Sequence, residues 1–133
     1  MTRDYLCAAA ALMAAAAVGL GAYGAHGLHV DDSIKRMWET GVAYQMWHAL
    51  GAFAAAWIAV RRSGIAAKAA NAAGCLFLIG SVLFSGSLYW FVLAGIIPVT
   101  GAAPAGGIFM IVGWLILALA ALSRSQPNSQ PSA

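Results

Sequence analysis

From residue 69 to residue 123 the chain carries no charged side chain. At 1.5 Å of helical rise per residue, that run far exceeds the roughly 30 Å hydrocarbon core of a bilayer, so it does not make a single crossing. Gly95, Pro98, Gly101, Pro104, Gly106 and Gly107 interrupt its middle, and glycine and proline are where helices break. The pattern predicts a third helix over about 69–93 and a fourth over about 107–122. Two more uncharged runs, 5–30 and 40–60, predict a first helix over 6–27 and a second over 40–60. A soluble domain carries about 25% charged residues. This chain has 8%, with 62% hydrophobic. The fold class expected is therefore an all-α membrane protein, a four-transmembrane-helix bundle formed by one domain over 1–122. Residues 123–133 are polar and contain proline, and read as a disordered cytoplasmic tail.

The second helix shows which way such helices face. At 100° per residue Gly41, Tyr44, Gln45, His48, Ala52, Ala55 and Ala59 share one side, with Met46, Leu50, Phe53 and Trp57 opposite. A soluble helix turns its bulky apolar side inward. In lipid the bulk suits acyl chains, and the small and polar side suits neighbouring helices. On the third helix Asn71, Gly74, Leu78, Ser81, Ser85 and Tyr89 form a similar stripe. On the first, Ala8, Leu12, Ala15, Gly19, Ala22 and His26 fall near one line, which is expected to pack the same way. That face favours a retained helix over a cleaved signal peptide.

Charges are confined to the connections. Asp31, Asp32, Lys35, Arg36 and Glu39 occupy 28–39, read either as a short interfacial helix with Trp38 at headgroup depth or as a polar loop. Four crossings put both termini on one side, with Arg3, Arg61, Arg62, Lys68 and Arg124. The positive-inside rule makes that side the cytoplasm and the location the inner, cytoplasmic membrane. Topology thus accounts for the net charge of +3, and no nucleic-acid partner is expected. Cys7 and Cys75 lack a CxxC spacing and read as small apolar residues.

The expected site is a polar pocket in the outer leaflet made by Tyr44, Gln45, His48, Ser85 and Tyr89, with His26 at its rim. Polar groups in lipid face the bundle interior, where they mark function or glue helices together. His26 and His48 differ in depth by most of two turns, so no shared haem is expected, and neither cofactor nor metal is assigned. The chain has no GxSxG, HExxH or phosphate-binding loop, and no carboxylate pair within an apolar run that could serve catalysis, so it is read as no enzyme. The expected partners are the lipid bilayer and either a membrane-protein partner or a second copy as a homo-oligomer. A structural or accessory component, or a lipid-binding scaffold, is the favoured reading. A small-solute transporter or channel component acting as an oligomer is the alternative.

Gly21-Ala22-Tyr23-Gly24-Ala25-His26-Gly27-Leu28 resembles the signature of the domain of unknown function 423 family, which includes relatives of transmembrane protein 256. The resemblance extends through Trp38, Thr40, Tyr44, Gln45 and His48, through 83–89, and through Pro98, Thr100, Gly101, Gly106, Gly107, Gly113 and Trp114. It covers about 6–122 and implies a small four-helix membrane protein of unassigned activity. Gly21, Gly24, Gly27, Gly86, Gly106 and Gly107 are expected to let backbones approach closely or to turn sharply at the pocket rim.

Overall fold

Where the long uncharged run breaks, two glycines take the left-handed conformation: Gly95 at φ 70° and Gly101 at φ 90°. Both conformations are strained for any residue with a Cβ, so the third helix stops and the fourth starts within a few residues. The computed structural model describes residues 3–123, and the expected tail from 124 onward lies outside them. Its helices are α1 (Arg3–His26), α2 (Asp32–Arg61), α3 (Gly64–Ala94) and α4 (Ala102–Leu122).

Three boundaries differ from the sequence reading by about five residues or more. α2 begins at Asp32 and not near 40, so 28–39 is neither a separate interfacial helix nor a loop beyond its first few residues. An acid in the first turn suits the positive end of the helix dipole, and the charges of 31–39 extend the helix past its apolar section. Trp38 is buried, 2% exposed, against α1. α3 begins at Gly64, five residues earlier than the expected 69. α4 begins at Ala102 and not at 107, because Pro104 falls in its first turn, where the missing N–H has no helical partner to lose. Gly106 and Gly107 therefore lie inside the helix.

α1, over Asp4–His26, α3 and α4 are each long and apolar enough to cross a membrane. α2 is long enough at 30 residues, but its charged first turns and the polar Tyr44, Gln45 and His48 lower its hydropathy. α2 and α3 pack closely, as do α3 and α4; α1 packs on α2 and only lightly on α3. The core between them is largely alanine, including Ala10, Ala52, Ala55, Ala70, Ala73 and Ala120 around Phe77. Small side chains let helices come close enough for dispersion contacts to hold them without a hydrophobic drive. Cys7 and Cys75 are free thiols packed against that core.

On α2 the face bearing Gly41, Gln45, His48, Ala52 and Ala55 is buried, while Leu50, Phe53 and Trp57 are exposed. On α1 the arrangement departs from expectation. Ala8, Leu12, Ala15, Gly19, Ala22 and His26 are all exposed, and the buried seam is Leu6, Ala10, Ala17 and Gly24. Alanine occurs on every side of α1, so residue size does not distinguish its faces, and the fit against α2 selects one.

The start of α1, the α2–α3 turn and the end of α4 lie at one end of the bundle. Leu6 there packs against Gly74. Arg62 donates from Nε to the Ala120 carbonyl at 3.3 Å and from Nη2 to the Ala121 carbonyl at 2.6 Å, serving carbonyls that the last turn of a helix leaves unpaired.

Candidate functional site

The polar residues of α2 reach three helices. Nearest the other end of the bundle, Trp38 donates its indole N–H to the Leu20 carbonyl at 2.8 Å. Its ring fills the space that Gly24 leaves open: a Cβ there would lie 2.6 Å from Trp38 Cδ1. The Trp38 ring also packs on Tyr23 and on Tyr89, centroids 5.5 and 4.6 Å apart.

One turn onward, Ser85 of α3 donates to the Gly41 carbonyl at 2.7 Å. Gly41 faces the Tyr89 ring, where an added Cβ would come within 2.8 Å. The Tyr89 hydroxyl donates to Gln45 Oε1 at 2.9 Å, and Gln45 Nε2 donates to the Met13 carbonyl at 2.9 Å. A single amide thus ties α2 to both α1 and α3.

His48 forms a second node. Trp114 Nε1 lies 3.1 Å from His48 Nε2, and His48 Nδ1 lies 2.7 Å from the Tyr44 carbonyl. An indole nitrogen only donates, and a carbonyl only accepts. The ring therefore carries its proton on Nδ1 and accepts at Nε2, as the neutral tautomer. Phe77 packs beside both rings, 5.5 Å from His48 and 4.6 Å from Trp114. Tyr44 contributes its carbonyl and its ring, which packs on Phe84 at 4.8 Å.

Of the residues expected to form the pocket, the structure brings together Gln45, Tyr89 and, through Gly41, Ser85. Tyr44 and His48 belong to the adjoining node. His26 is exposed at the end of α1 and joins neither node. Among the described residues no three His, Cys, Asp or Glu side chains come together in a group able to hold a metal ion.

The glycines divide. Gly106 meets the α3 backbone, its would-be Cβ 2.6 Å from both the Gly80 carbonyl oxygen and the Phe84 nitrogen; Gly24 meets Trp38. Gly21 has an ordinary 3.4 Å contact with Val42, and Gly27, just past the end of α1, faces Tyr23, while nothing lies within 4 Å at Gly86 or Gly107.

Sequence reasoning did not place Trp38, Trp114 or Gly80 at the site. The signal for Trp114 was the buried stripe of α4, Gly106, Met110, Gly113 and Leu117, whose helical spacing puts residue 114 beside the inward face. Leu20, Met13 and Gly41 act through backbone carbonyls, which no residue type reveals.

Residues 20–107 match the family described as protein of unknown function (DUF423). The chain is 44% identical over 114 residues to the UPF0382 membrane protein YwdK of Bacillus subtilis, covering 84% of this chain and 91% of that relative. It is 42% identical to the UPF0382 membrane protein SERP0230 of Staphylococcus epidermidis, covering 84% and 90%. With a UPF0382 membrane protein of Haemophilus influenzae it shares 38% identity over 103 residues, covering 76% and 80%. No solved structure matches it. The relatives' names specify a membrane and no activity, and the chain belongs to the DUF423 family, an uncharacterised family of membrane proteins.

Proposed function

We propose that the chain is a multi-pass scaffold of the cytoplasmic membrane, a structural or accessory component and not an enzyme. In this reading α2 is a fourth crossing, and both chain ends share the cytoplasmic side with Arg61, Arg62 and Lys68. One observation carries it: Gln45, Ser85, Tyr89 and His48 make hydrogen bonds to other helices. Gln45 serves Met13 and Tyr89, Ser85 serves Gly41, and His48 serves Trp114. Groups consumed in this way hold helices in register; a catalytic or conducting site keeps them facing a substrate. The neighbours of α2 support this placement. Its polar face is covered by α1, α3 and Trp114 of α4, and its outward residues Leu50, Phe53 and Trp57 suit acyl chains. The basic turn supports the orientation through the positive-inside rule.

Single cysteines placed at Val30 and at Ser63, on either side of α2, in a chain with Cys7 and Cys75 replaced by alanine, test this topology. A membrane-impermeant maleimide applied to intact cells is expected to label position 30 alone, and position 63 only after permeabilisation. The opposite pattern would overturn the orientation, and labelling of both positions from outside would overturn the crossing by α2.

A further inference from the structure

Interhelical bonds account for Gln45, His48, Ser85 and Tyr89, but not for Ser81. Ser81 is 1% exposed, and its Oγ is buried without a hydrogen-bond partner. A buried hydroxyl in that state costs free energy that a suitable acceptor would recover. Ser81 stands in the wall of a crevice of about 240 Å³ whose other walls are Met13, Leu20, Gln45, Val82, Gly86 and Tyr89. The crevice exists because α1 leans on α2 and touches α3 only lightly. At Gly86 an added Cβ would meet nothing within 4 Å, so the wall is open there.

The chemistry of the lining is specific. Gln45 Nε2 gives one N–H to Met13 and keeps a second, and its Oε1 is occupied by the Tyr89 hydroxyl. With the Ser81 hydroxyl, the residues of the lining carry two neutral donors not engaged by another helix, and none of them is charged. The complement is an uncharged molecule with a carbonyl acceptor. Depth narrows the class. From Lys68 to Ser81, α3 rises roughly 20 Å, within a hydrocarbon core about 30 Å thick. Phospholipid ester carbonyls sit at the edge of that core and do not reach so far in. Size narrows it again, since an apolar cavity of roughly 150 Å³ already takes benzene.

We propose that this crevice binds the carbonyl-bearing ring of a lipophilic ketone or quinone dissolved in the membrane. Ser81 and Gln45 donate to the carbonyl, and the tail of the molecule runs out between α1 and α3 into lipid. The proposal rests on the membrane placement of α1 and α3, and not on the scaffold role or on which side is cytoplasmic.

The test is photolabelling of the full-length chain in phosphatidylcholine nanodiscs with an alkyl-benzophenone, whose excited ketone inserts into C–H bonds beside it. The expected labels are on Met13 and Val82. Excess decylubiquinone should suppress them at least tenfold, and extra diacyl lipid should not. Ser81→Ala, which removes only the unpartnered hydroxyl, should lower labelling about fivefold, the effect of one hydrogen bond. Gly86→Leu, which fills the crevice, should lower it at least tenfold. Equal labelling of the lipid-facing Trp90 and Leu115, or undiminished labelling of Ser81→Ala, would overturn the site. Suppression by diacyl lipid as strong as by the quinone would overturn the ketone or quinone assignment in favour of acyl esters. Neither result bears on the cysteine-labelling pattern, so the two readings fail separately.

Discussion

The two outer seams of the bundle are closed by opposite means. α1 is held to α2 by side chains that reach its backbone: Trp38 to the Leu20 carbonyl at 2.8 Å and Gln45 to the Met13 carbonyl at 2.9 Å. α4 is held to α3 by the lack of side chains, with Gly80 and Gly106 placing one backbone directly on the other. Both solve the same difficulty, that apolar side chains gain nothing by leaving lipid for one another. They differ in what they tolerate. A hydrogen-bonded seam has soft parts, because an indole or an amide can turn. A backbone on a backbone has none.

The largest effect is therefore expected at the glycine seam. In Gly106→Ala the new Cβ would sit 2.6 Å from the Gly80 oxygen and from the Phe84 nitrogen, and no rotamer relieves it. Overpacking typically costs about 1–3 kcal/mol and more where the neighbour is fixed, so a loss of about 3 kcal/mol is expected for a single methyl group. Thermal melting of the detergent-solubilised protein reads it. A variant that melts with the parent would show the α3–α4 approach to be looser than the glycine geometry requires.

Gln45→Leu attacks the other seam, and a smaller loss is expected. It removes the bonds to Met13 and Tyr89, and hydrogen bonds between membrane helices average well below 1 kcal/mol each because the unfolded helices also find partners. The leucine fills most of the amide's volume, so the net cost is about 1–2 kcal/mol, part of it from the stranded Tyr89 hydroxyl. A double-mutant cycle with Tyr89→Phe isolates the shared bond, and a coupling on the order of 0.5 kcal/mol or more is expected. Strict additivity would mean that Tyr89 is held by Trp38 and Gly41 alone.

What the sequence made legible follows from where its side chains differ. The uncharged runs separated by charges and by Gly/Pro clusters gave four helices, since a break in hydropathy or backbone freedom is written in single residues. The inward face of α2 was legible because Gly, Gln and His stand opposite Leu, Phe and Trp. The face of α1 was not, because Ala10 and Ala17 are buried and Ala8 and Ala15 exposed, and alanine looks the same in either place. The buried positions 10, 17 and 24 repeat every seven residues, a spacing that marks a close-packed seam and was the one available clue. The start of α2 was misplaced because the charges of 31–39 suggested a break, although a helix that outruns its apolar section carries charges without breaking. At the candidate site Gln45, His48, Ser85 and Tyr89 were identifiable as polar groups on inward faces. Their partners were less so: Leu20, Met13 and Gly41 contribute backbone carbonyls, and Trp114 resembled any aromatic residue suited to lipid.

The smallest expected effect concerns the face of α1 that the sequence pointed inward. Gly19 sits mid-helix on that exposed face, and an added Cβ there would meet nothing within 4 Å. Gly19→Ala should therefore incur none of the collision expected at Gly106. It should also gain the helical preference of alanine over glycine, up to about 1 kcal/mol in peptide hosts. The expected melting temperature is equal to the parent's or slightly above it, so the same change of one methyl has opposite signs on two helices of one bundle. A clear drop in detergent would mean that α1 turns its Ala15 and Gly19 side inward after all, leaving the seam of Ala10, Ala17 and Gly24 outside. The bond from Gln45 to Met13 would then have to break as well, because the same rotation of α1 would carry that carbonyl away from the amide.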